Sequence, residues 1–202
     1  LLPERFVVKA THGSGWNLIV GDKSTLDQAA ARKRLNNWLA LNYYELGREW
    51  CYKDIEPRLI VEEYLQDDSQ DEHVPWDYKL FCFDGTVRFL QVDVGRFHHH
   101  ARNLYDRQWR LLDVAYEYEN ANICIPRPSR LAEMIQVAET LSRRLDFVRV
   151  DLYKLKETIL FGEMTHYPGN GFERFLPAHY DQLFGQYWPE QTSYRRSPFI
   201  RG

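Results

Sequence analysis

Three charged residues in the second half of the chain have the types and spacing of a metal and phosphate site. Arg149 and Asp151 lie two residues apart in one β-rich run, and Glu163 lies near the end of the next. Strand alternation puts Arg149 and Asp151 on one face, and a hairpin turn at 154–157 brings Glu163 roughly alongside them. Carboxylate oxygens suit Mg²⁺, which also takes substrate phosphates as ligands. A surface ion-pair ladder is the alternative interpretation of the same residues.

A glycine-containing segment near the start has the composition of a phosphate-binding loop. Lys9 ends a β-rich run and is followed by His12, Gly13, Ser14 and Gly15. Two glycines let backbone N–H groups approach a polyphosphate, and a lysine on the preceding strand supplies positive charge. The segment matches neither a P-loop nor a dinucleotide-binding fingerprint, and a plain hairpin turn would have the same composition.

Two glutamates end the apolar run at 58–65. Glu62 and Glu63 are followed by Leu65 and then by an acidic loop without periodicity. Backbone groups at such a hinge could pair with the edge of an adenine ring. An ordinary strand that ends in solvated glutamates is the alternative.

A histidine- and arginine-containing stretch follows the predicted hairpin at 77–94. Three consecutive histidines, 98–100, point to alternate faces of a strand, so at most two of them could share one metal ion. Arg96, His100, Arg102 and Asn103 suit a substrate or phosphate site better, because arginine and asparagine present donors to an anionic group. A structural strand end is the alternative for these residues.

Hydrophobic periodicity predicts the elements that position these groups. Asp84-Gly85 between two β-rich runs predicts an antiparallel hairpin. A capping box at Thr25 and Gln28 predicts the start of a helix that runs from Ser24 to about Leu41. Further predicted elements are strands at 5–10, 16–20, 58–65, 147–153 and 158–164 and a helix at 129–145. Hairpins separated by single helices describe an α+β protein with antiparallel sheets.

Composition excludes several classes of protein. The 202 residues carry 26 Lys+Arg against 29 Asp+Glu, a net charge of −3, which disfavours nucleic acid as a partner. We find no apolar run near the roughly 20 residues that span a bilayer. The three cysteines form no CxxC pair, which favours reduced thiols and a cytoplasmic protein. The start at Leu1, without an initiator Met, predicts a processed chain or a fragment that lacks an upstream part.

The order of these motifs resembles the ATP-grasp superfamily, and within it the TupA-like family. The similarity extends from Pro3 to around Gly185. The residues that carry it are RFVVK (5–9) with HGSGW (12–16), NYY (42–44), GREW (47–50), EEYL (62–65), DYK (77–79), FCF (81–83), Gly85, QVD (91–93), RF (96–97), HARN (100–103), YD (105–106), FVRVDLY (147–153) and FGEMTHYPG (161–169).

The resemblance implies roles for these residues. Lys9 would bind the α- and β-phosphates of ATP, and the loop Gly13-Ser14-Gly15, preceded by His12, would cover the phosphates. Glu62, with the backbone of Glu63 and Leu65, would hold adenine. Asp77 would reach the ribose and Lys79 the phosphates. Arg149 and Lys79 would be catalytic, and Asp151 and Glu163 would hold Mg²⁺.

The resemblance also implies the architecture. ATP-grasp proteins hold ATP between two lobes, each with an antiparallel sheet and helices. We therefore predict an N-terminal lobe at 1–65, an acidic hinge at 66–76, a C-terminal lobe with the metal site at 77–188 and a tail at 189–202. Thr165 departs from the family pattern, in which asparagine often follows the metal-binding glutamate by two residues. Thr165 is therefore a weaker candidate ligand, and the number of metal ions stays open.

The expected activity is that of an ADP-forming, Mg²⁺- and ATP-dependent carboxylate–amine ligase that works through an acylphosphate. The family implies a small-molecule, glycan or peptide acceptor in cell-surface polysaccharide or glycopeptide synthesis. Two alternatives are an ATP-dependent sugar kinase on the same fold and a non-catalytic module that binds nucleotide or glycan. The sequence leaves the oligomeric state open.

Overall fold

The computed structural model describes residues 2–67, 75–95 and 99–188. The chain divides into two compact units. Unit 1 comprises Leu1–Pro75 and Tyr167–Phe172, and unit 2 comprises Trp76–His166 and Glu173–Gly202. Arg96, most of the predicted acidic hinge and the predicted tail lie outside the described residues.

Unit 1 is a three-stranded antiparallel sheet with one long helix. Its elements are β1 (Phe6–Ala10), β2 (Asn17–Val20), α1 (Gln28–Ala40), α2 (Tyr44–Gly47) and β3 (Leu59–Glu63). Strand order is β2-β1-β3, so the predicted pairing of the first two strands is confirmed. The core cluster consists of Phe6, Val8 and Val20, with Leu18, Leu26, Leu35 and Leu59 packed against it.

The start of α1 differs from the prediction. Asp27, and not Thr25, is the N-cap residue, since its carboxylate accepts hydrogen bonds from the backbone N–H groups of Ala29 and Ala30. Thr25 instead ends a short 3₁₀ turn and donates to the carbonyl of Asp22. An aspartate satisfies the orphan N–H groups of a first turn as well as threonine does, so the predicted capping box was wrong by two residues.

Unit 2 is built on a five-stranded antiparallel sheet of order β6-β5-β4-β8-β9. Its elements are β4 (Asp77–Phe83), β5 (Thr86–Val94), β6 (Ala101–Asp106), β7 (Ala115–Tyr116), α3 (Leu131–Leu141), β8 (Phe147–Leu155), β9 (Thr158–Thr165), β10 (Phe175–Leu176) and α4 (His179–Gly185). The predicted Asp84-Gly85 hairpin is confirmed, with both residues at positive φ.

The two faces of this sheet differ. One face packs on α3 through an apolar cluster that includes Leu80, Val92, Val150 and Met134. Cys82 belongs to this cluster, and burial raises the pKa of its thiol to about 11, as expected for an unreactive core cysteine. No helix in the described part of the chain is long and apolar enough to span a membrane.

The opposite face of the sheet is apolar at one end and polar at the other. Its apolar end carries Phe81, Phe89 and Leu104, over which Tyr116 of β7 and Phe184 of α4 pack. Its polar end is described below.

Candidate active site

A row of ionic and polar side chains crosses all five strands of the unit 2 sheet on one face. We call it the polar face. Cross-strand partners share a face of a sheet, and the pairs Arg102↔Asp93, Asp93↔Asp77, Gln91↔Lys79, Lys79↔Asp151 and Asp151↔Glu163 link its members. Its residues are Asp77, Lys79, Gln91, Asp93, Arg102, Arg149, Asp151, Glu163 and Thr165.

Two irregularities in the strand pairing build this row. Gly162 is an extra residue in β9, because Leu152 pairs with Phe161 whereas Asp151 pairs with Glu163. Arg88 is likewise an extra residue in β5, where Cys82 pairs with Val87 and Phe81 with Phe89. A bulge moves every residue beyond it to the other face. Glu163 and the pair Gln91 and Asp93 therefore join the polar face.

Asp151 is the most heavily bonded residue of the polar face. Its side chain is 2% exposed, and it accepts hydrogen bonds from Lys79 Nζ at 2.5 Å and from Arg149 Nε and Nη2, each at 2.7 Å. Burial raises the pKa of the Asp151 carboxyl against the opposing influence of Lys79 and Arg149. The two cations thus compensate a carboxylate that burial disfavours.

Lys79 and Arg149 each bridge two carboxylates. Lys79 Nζ also lies 2.5 Å from Asp77 Oδ2, and Arg149 Nη2 lies 3.1 Å from Glu163 Oε1. Burial disfavours the charged guanidinium, yet Asp151, Glu163 and Asp77 raise the pKa of Arg149 above its ordinary value. Three carboxylates therefore share two cations in this part of the polar face.

In unit 1, the predicted phosphate loop connects β1 to β2. Lys9 Nζ lies 2.5 Å from Glu62 Oε2, and both side chains are half-exposed. Gly13 must lack a side chain, because a Cβ there would lie 2.6 Å from the Trp16 ring. Gly15 has a φ of +69°, which favours glycine.

His12 has a structural place in unit 1. The ring is 2% exposed, and its Nε2 lies 2.7 Å from the carbonyl oxygen of Trp38 at the end of α1. His12 thereby attaches the loop to the helix. Glu63 is exposed and Leu65 is partly buried beyond β3.

The comparison with protein families decides what kind of protein this is. The model of the TupA-like ATP-grasp family matches residues 1–188. The chain belongs to the TupA-like ATP-grasp family.

Other comparisons are more distant. A crystal structure of D-alanine–D-alanine ligase from Bacillus anthracis is similar, with 19% sequence identity and a TM-score of 0.41. The match covers 80% of this chain and 43% of that chain, so this TupA-like protein spans less than half the length of that ligase. No curated protein matches the chain.

The residues predicted to bind ATP phosphates and metal in the C-terminal lobe of this TupA-like protein lie together on the polar face. Asp77, which was predicted to reach the ribose, is 3% exposed, and its Oδ2 lies 2.5 Å from Lys79 Nζ. Thr165 Oγ1 donates to Glu163 Oε1 at 2.9 Å and accepts from Arg149 Nη2 at 3.1 Å.

The structure brings two of the predicted substrate residues together but not Asn103: His100 Nε2 and Arg102 Nε lie 3.4 and 2.7 Å from the same oxygen, Asp93 Oδ1. Arg102 lies on the polar face, whereas Asn103 lies on the α3 side of β6. Asn103 is 1% exposed, and its Oδ1 accepts from the backbone N–H of Ala121 at 3.0 Å. His100 lies beside Tyr118, with the ring centroids 3.9 Å apart.

Sequence reasoning missed four residues of unit 2 that accompany Arg102: Gln91, Asp93, Tyr116 and Glu173. The alternating pattern Gln91-x-Asp93 was a usable signal for one face of β5. A regular two-residue hairpin, however, would have put both residues on the α3 side, and nothing in the sequence pairs Glu173 with Arg102 across a separation of 71 residues.

The residues present fit Mg²⁺. A single atom, Arg149 Nη2, touches both Asp151 and Glu163, so oxygens of both carboxylates converge on the position of one cation. No group of three or more His, Cys, Asp or Glu among the described residues is placed to hold a metal ion. Two protein carboxylates with the remaining ligands from phosphate and water is an arrangement that Mg²⁺ commonly adopts.

Proposed function

We propose that this TupA-like ATP-grasp protein is a Mg²⁺- and ATP-dependent carboxylate–amine ligase. It would activate a carboxylate as an acylphosphate. It would act in the cytoplasm on a precursor of a cell-surface polysaccharide or glycopeptide. Membership of the ATP-grasp family supports ligase chemistry. The observation that carries the proposal is the sharing of Asp151 by Lys79 and Arg149, with Glu163 directly opposite.

The proposed exchange of partners follows from charge. In the polar face, three carboxylates hold the two cations Lys79 and Arg149. A bound triphosphate gives Lys79 and Arg149 new anionic partners, and Asp151 and Glu163 are then available to Mg²⁺. When bound, Mg²⁺ would be held by Asp151 and Glu163 and would neutralise the negative charge of the phosphates.

The reaction has two steps. A carboxylate oxygen of the substrate attacks the γ-phosphorus and the bond to the β-phosphate oxygen breaks, which releases ADP. The amine then attacks the acyl carbon, the bond to phosphate breaks, and an amide and inorganic phosphate form. Arg149 and Lys79 donate to oxygens whose negative charge is redistributed during transfer, which is the main electrostatic contribution a protein makes to phosphoryl transfer.

Unit 1 residues are proposed to bind the nucleotide. Lys9, now held by Glu62, would contact phosphate oxygens, and the Gly13-Ser14-Gly15 backbone would donate N–H groups to them. The backbone of Glu63 and Leu65 would pair with the adenine edge.

A double substitution tests the metal assignment. We expect Mg²⁺ and ATP together to raise the thermal midpoint of the wild type, by about 2.7 kcal/mol of apparent stability at a hundredfold excess over Kd. Asp151→Asn with Glu163→Gln should abolish the Mg²⁺-dependent part of this effect in differential scanning fluorimetry. Asp113→Asn with Glu119→Gln, at exposed positions of unit 2, is the matched control. Equal protection of both double variants would contradict the assignment.

Turnover tests the ligase itself. ADP and phosphate release should require a carboxylate and an amine together, assayed with a panel of uronic acids and amino acids. The product should have the mass of an amide. A phosphate ester would identify a kinase instead, and ATP binding without release across the panel would favour the non-catalytic module.

A further inference from the structure

A partly exposed imidazole of unit 2 lies against a buried carboxylate of the polar face. His100 Nε2 is 3.4 Å from Asp93 Oδ1, and the two side chains are 23% and 2% exposed. His100 comes two residues before Arg102, so strand alternation puts both on the same face. Arg102 Nε donates to the same Asp93 oxygen at 2.7 Å. We call His100 and Asp93 the dyad.

The surroundings of the dyad fix the position of both members. Gln91 Nε2 donates to both carboxylate oxygens of Asp93, at 3.0 and 3.1 Å, while Arg102 binds Asp93 from β6. The ring of Tyr118 packs against the imidazole of His100, with the centroids 3.9 Å apart, and the Arg102 guanidinium lies 4.8 Å from the centroid of the same Tyr118 ring. Two strands and one aromatic ring therefore orient the imidazole.

The contact with Asp93 favours one tautomer of His100. A carboxylate only accepts hydrogen bonds, so the neutral ring carries its proton on Nε2, the nitrogen that faces Asp93. Nδ1 is then an acceptor, and it makes no hydrogen bond within the described part of the chain. The 3.4 Å separation at Nε2 exceeds a normal hydrogen bond, so Nε2 is not hydrogen-bonded in this geometry. Catalytic hydrogen bonds are often long in substrate-free proteins and shorten when substrate binds.

The carboxylates of the polar face near Lys79 have other roles. Asp151 and Glu163 are proposed to bind Mg²⁺, and a carboxylate that binds a metal ion has to be deprotonated. Asp77 is buried, with its Oδ2 2.5 Å from Lys79 Nζ. Imidazole, by contrast, takes up and releases a proton near neutral pH. His100 is therefore suited to a proton transfer that these carboxylates are not placed to perform.

The spacing fits an amine between the transferred phosphoryl group and His100. Asp93 on β5 lies directly opposite Asp77 on β4, and Asp77 contacts Lys79. With about 4.8 Å between strands, the imidazole lies on the order of 10 Å from the Lys79 ammonium. A base for the attacking amine belongs roughly 9 Å from the phosphorus, because two covalent bonds, one attack distance and one hydrogen bond, each step about 3 Å, separate them.

We propose that His100 is the general base that takes a proton from the amine acceptor during amide formation, with Asp93 as its positioning residue. The inference rests on the proposed ligase function and deepens its second step. The amine nitrogen forms a bond to the acyl carbon, the bond from that carbon to the phosphate oxygen breaks, and phosphate leaves with the electron pair. The proton lost by the nitrogen passes to His100 Nδ1 and then through solvent to the departing phosphate. Asp93 stabilises the imidazolium that forms.

Two kinds of nucleophile test this role. D-glucuronate and L-glutamate serve as carboxylates with Mg²⁺ and ATP, and hydroxylamine is compared with L-alanine and glucosamine as the nucleophile. Hydroxylamine is a neutral nucleophile at pH 7 and attacks an acylphosphate without a protein base. His100→Gln should therefore lower amide formation by about 10²–10⁴-fold, the contribution of a general base, and leave hydroxamate formation near the wild-type rate. His179→Gln, at an exposed position of α4, is the matched control and should leave both rates unchanged.

Nitrogen NMR tests the dyad without any substrate. In ¹⁵N-labelled protein the neutral His100 ring should carry its proton on Nε2, and the spectrum of His100→Gln identifies the signal by its loss. The opposite tautomer would overturn the proposal. Unchanged amide formation in His100→Gln, or an equal loss of amide and hydroxamate formation, would overturn it as well.

Hydroxamate formation by the wild type separates this inference from the proposed function. Hydroxamate shows that the acylphosphate forms, so it supports the ligase whatever the result for His100. Wild-type protein that forms hydroxamate but no amide with either amine would contradict the assignment of His100 and leave the proposed function standing. Absence of both products with every probe would contradict the proposed function itself.

Discussion

Lys79 holds two buried carboxylates at once, and this makes it the residue on which the electrostatics of the polar face depend. Asp77 and Asp151 are 3% and 2% exposed, and each accepts a 2.5 Å bond from the same ammonium group. A buried ion pair contributes little compared with an apolar substitute, but removing a cation that two buried carboxylates share is strongly destabilising.

Lys79→Met should therefore destabilise unit 2. We expect a loss of about 3–5 kcal/mol at pH 7, measured by urea unfolding followed by tryptophan fluorescence. Lys33→Met, at an exposed position of α1, is the control and should change stability by less than about 0.5 kcal/mol.

The loss in Lys79→Met should shrink in acid. The pKa of Asp151 is raised in the folded wild type, and removal of Lys79 raises it further. A carboxyl whose pKa is raised in the folded state binds its proton more tightly when the protein is folded. The destabilisation caused by its ionised form is therefore absent below the unfolded pKa of about 3.9, and it grows as the pH rises from there to the folded pKa. A deficit that stays constant from pH 7 to pH 4 would contradict this account.

At the scale of elements, two β-bulges decide which side chains reach the polar face. Gly162 in β9 and Arg88 in β5 each add one residue to a strand. With regular pairing, Val150 would lie opposite Glu163 and Leu90 opposite Lys79. The sheet would then present leucine where the site has Gln91, and it would turn Glu163 away from Asp151.

Gly162→Val should disturb the bulge that positions Glu163. A Cβ at Gly162 would lie 3.0 Å from the carbonyl oxygen of Asp151, which belongs to the backbone of β8, and 3.1 Å from the Tyr153 ring. We expect a loss of about 1–3 kcal/mol in stability and a reduced thermal shift with Mg²⁺ and ATP, comparable to that of Glu163→Gln.

The control is Gly21→Ala, because a Cβ at Gly21 would meet no atom within 4 Å. It should leave both the midpoint and the ligand-induced shift near wild-type values. A Gly162→Val protein with a normal shift would show that the bulge is not needed to place the Glu163 carboxylate.

At the scale of the whole molecule, the two units have cores of very different size. The core cluster of unit 1 consists of Phe6, Val8 and Val20, whereas the unit 2 sheet is covered by a large apolar cluster on its α3 face and an aromatic cluster at one end of the other. Every residue of β4 is buried, while β2 has a single buried residue, Val20. Local stability increases with buried apolar contact, so unit 1 should be locally less stable than unit 2.

Hydrogen exchange should show this difference. Backbone amides of β1 and β2 that are paired in the sheet should exchange at least about tenfold faster than those of β4 and β8, and Mg²⁺ with ATP should slow exchange in β1 if Lys9 binds phosphate. Mass spectrometry of peptic fragments measures both effects. Equal protection of the two sheets would contradict the stability argument.

The local elements of this protein could be predicted from its sequence because they depend on neighbours along the chain. The Asp84-Gly85 turn, the apolar face of α3 and the pairing of β1 with β2 are confirmed, since turn residues and periodicity act over a few positions. The motif order likewise identified the family. Even at this range the N-cap of α1 was assigned to Thr25 instead of Asp27, because both residues suit that position.

The site was decided partly by the sequence and partly by the tertiary structure. Residue types and spacing predicted that Arg149, Asp151 and Glu163 suit phosphate and Mg²⁺ chemistry, and the resemblance to the ATP-grasp family added Lys79. Only the folded sheet decided the rest: two bulges set which faces carry Gln91, Asp93 and Glu163, and distant segments bring Glu173 to Arg102. Strand register and long-range pairing depend on the packing of both faces of a sheet, and no short window of sequence contains that information.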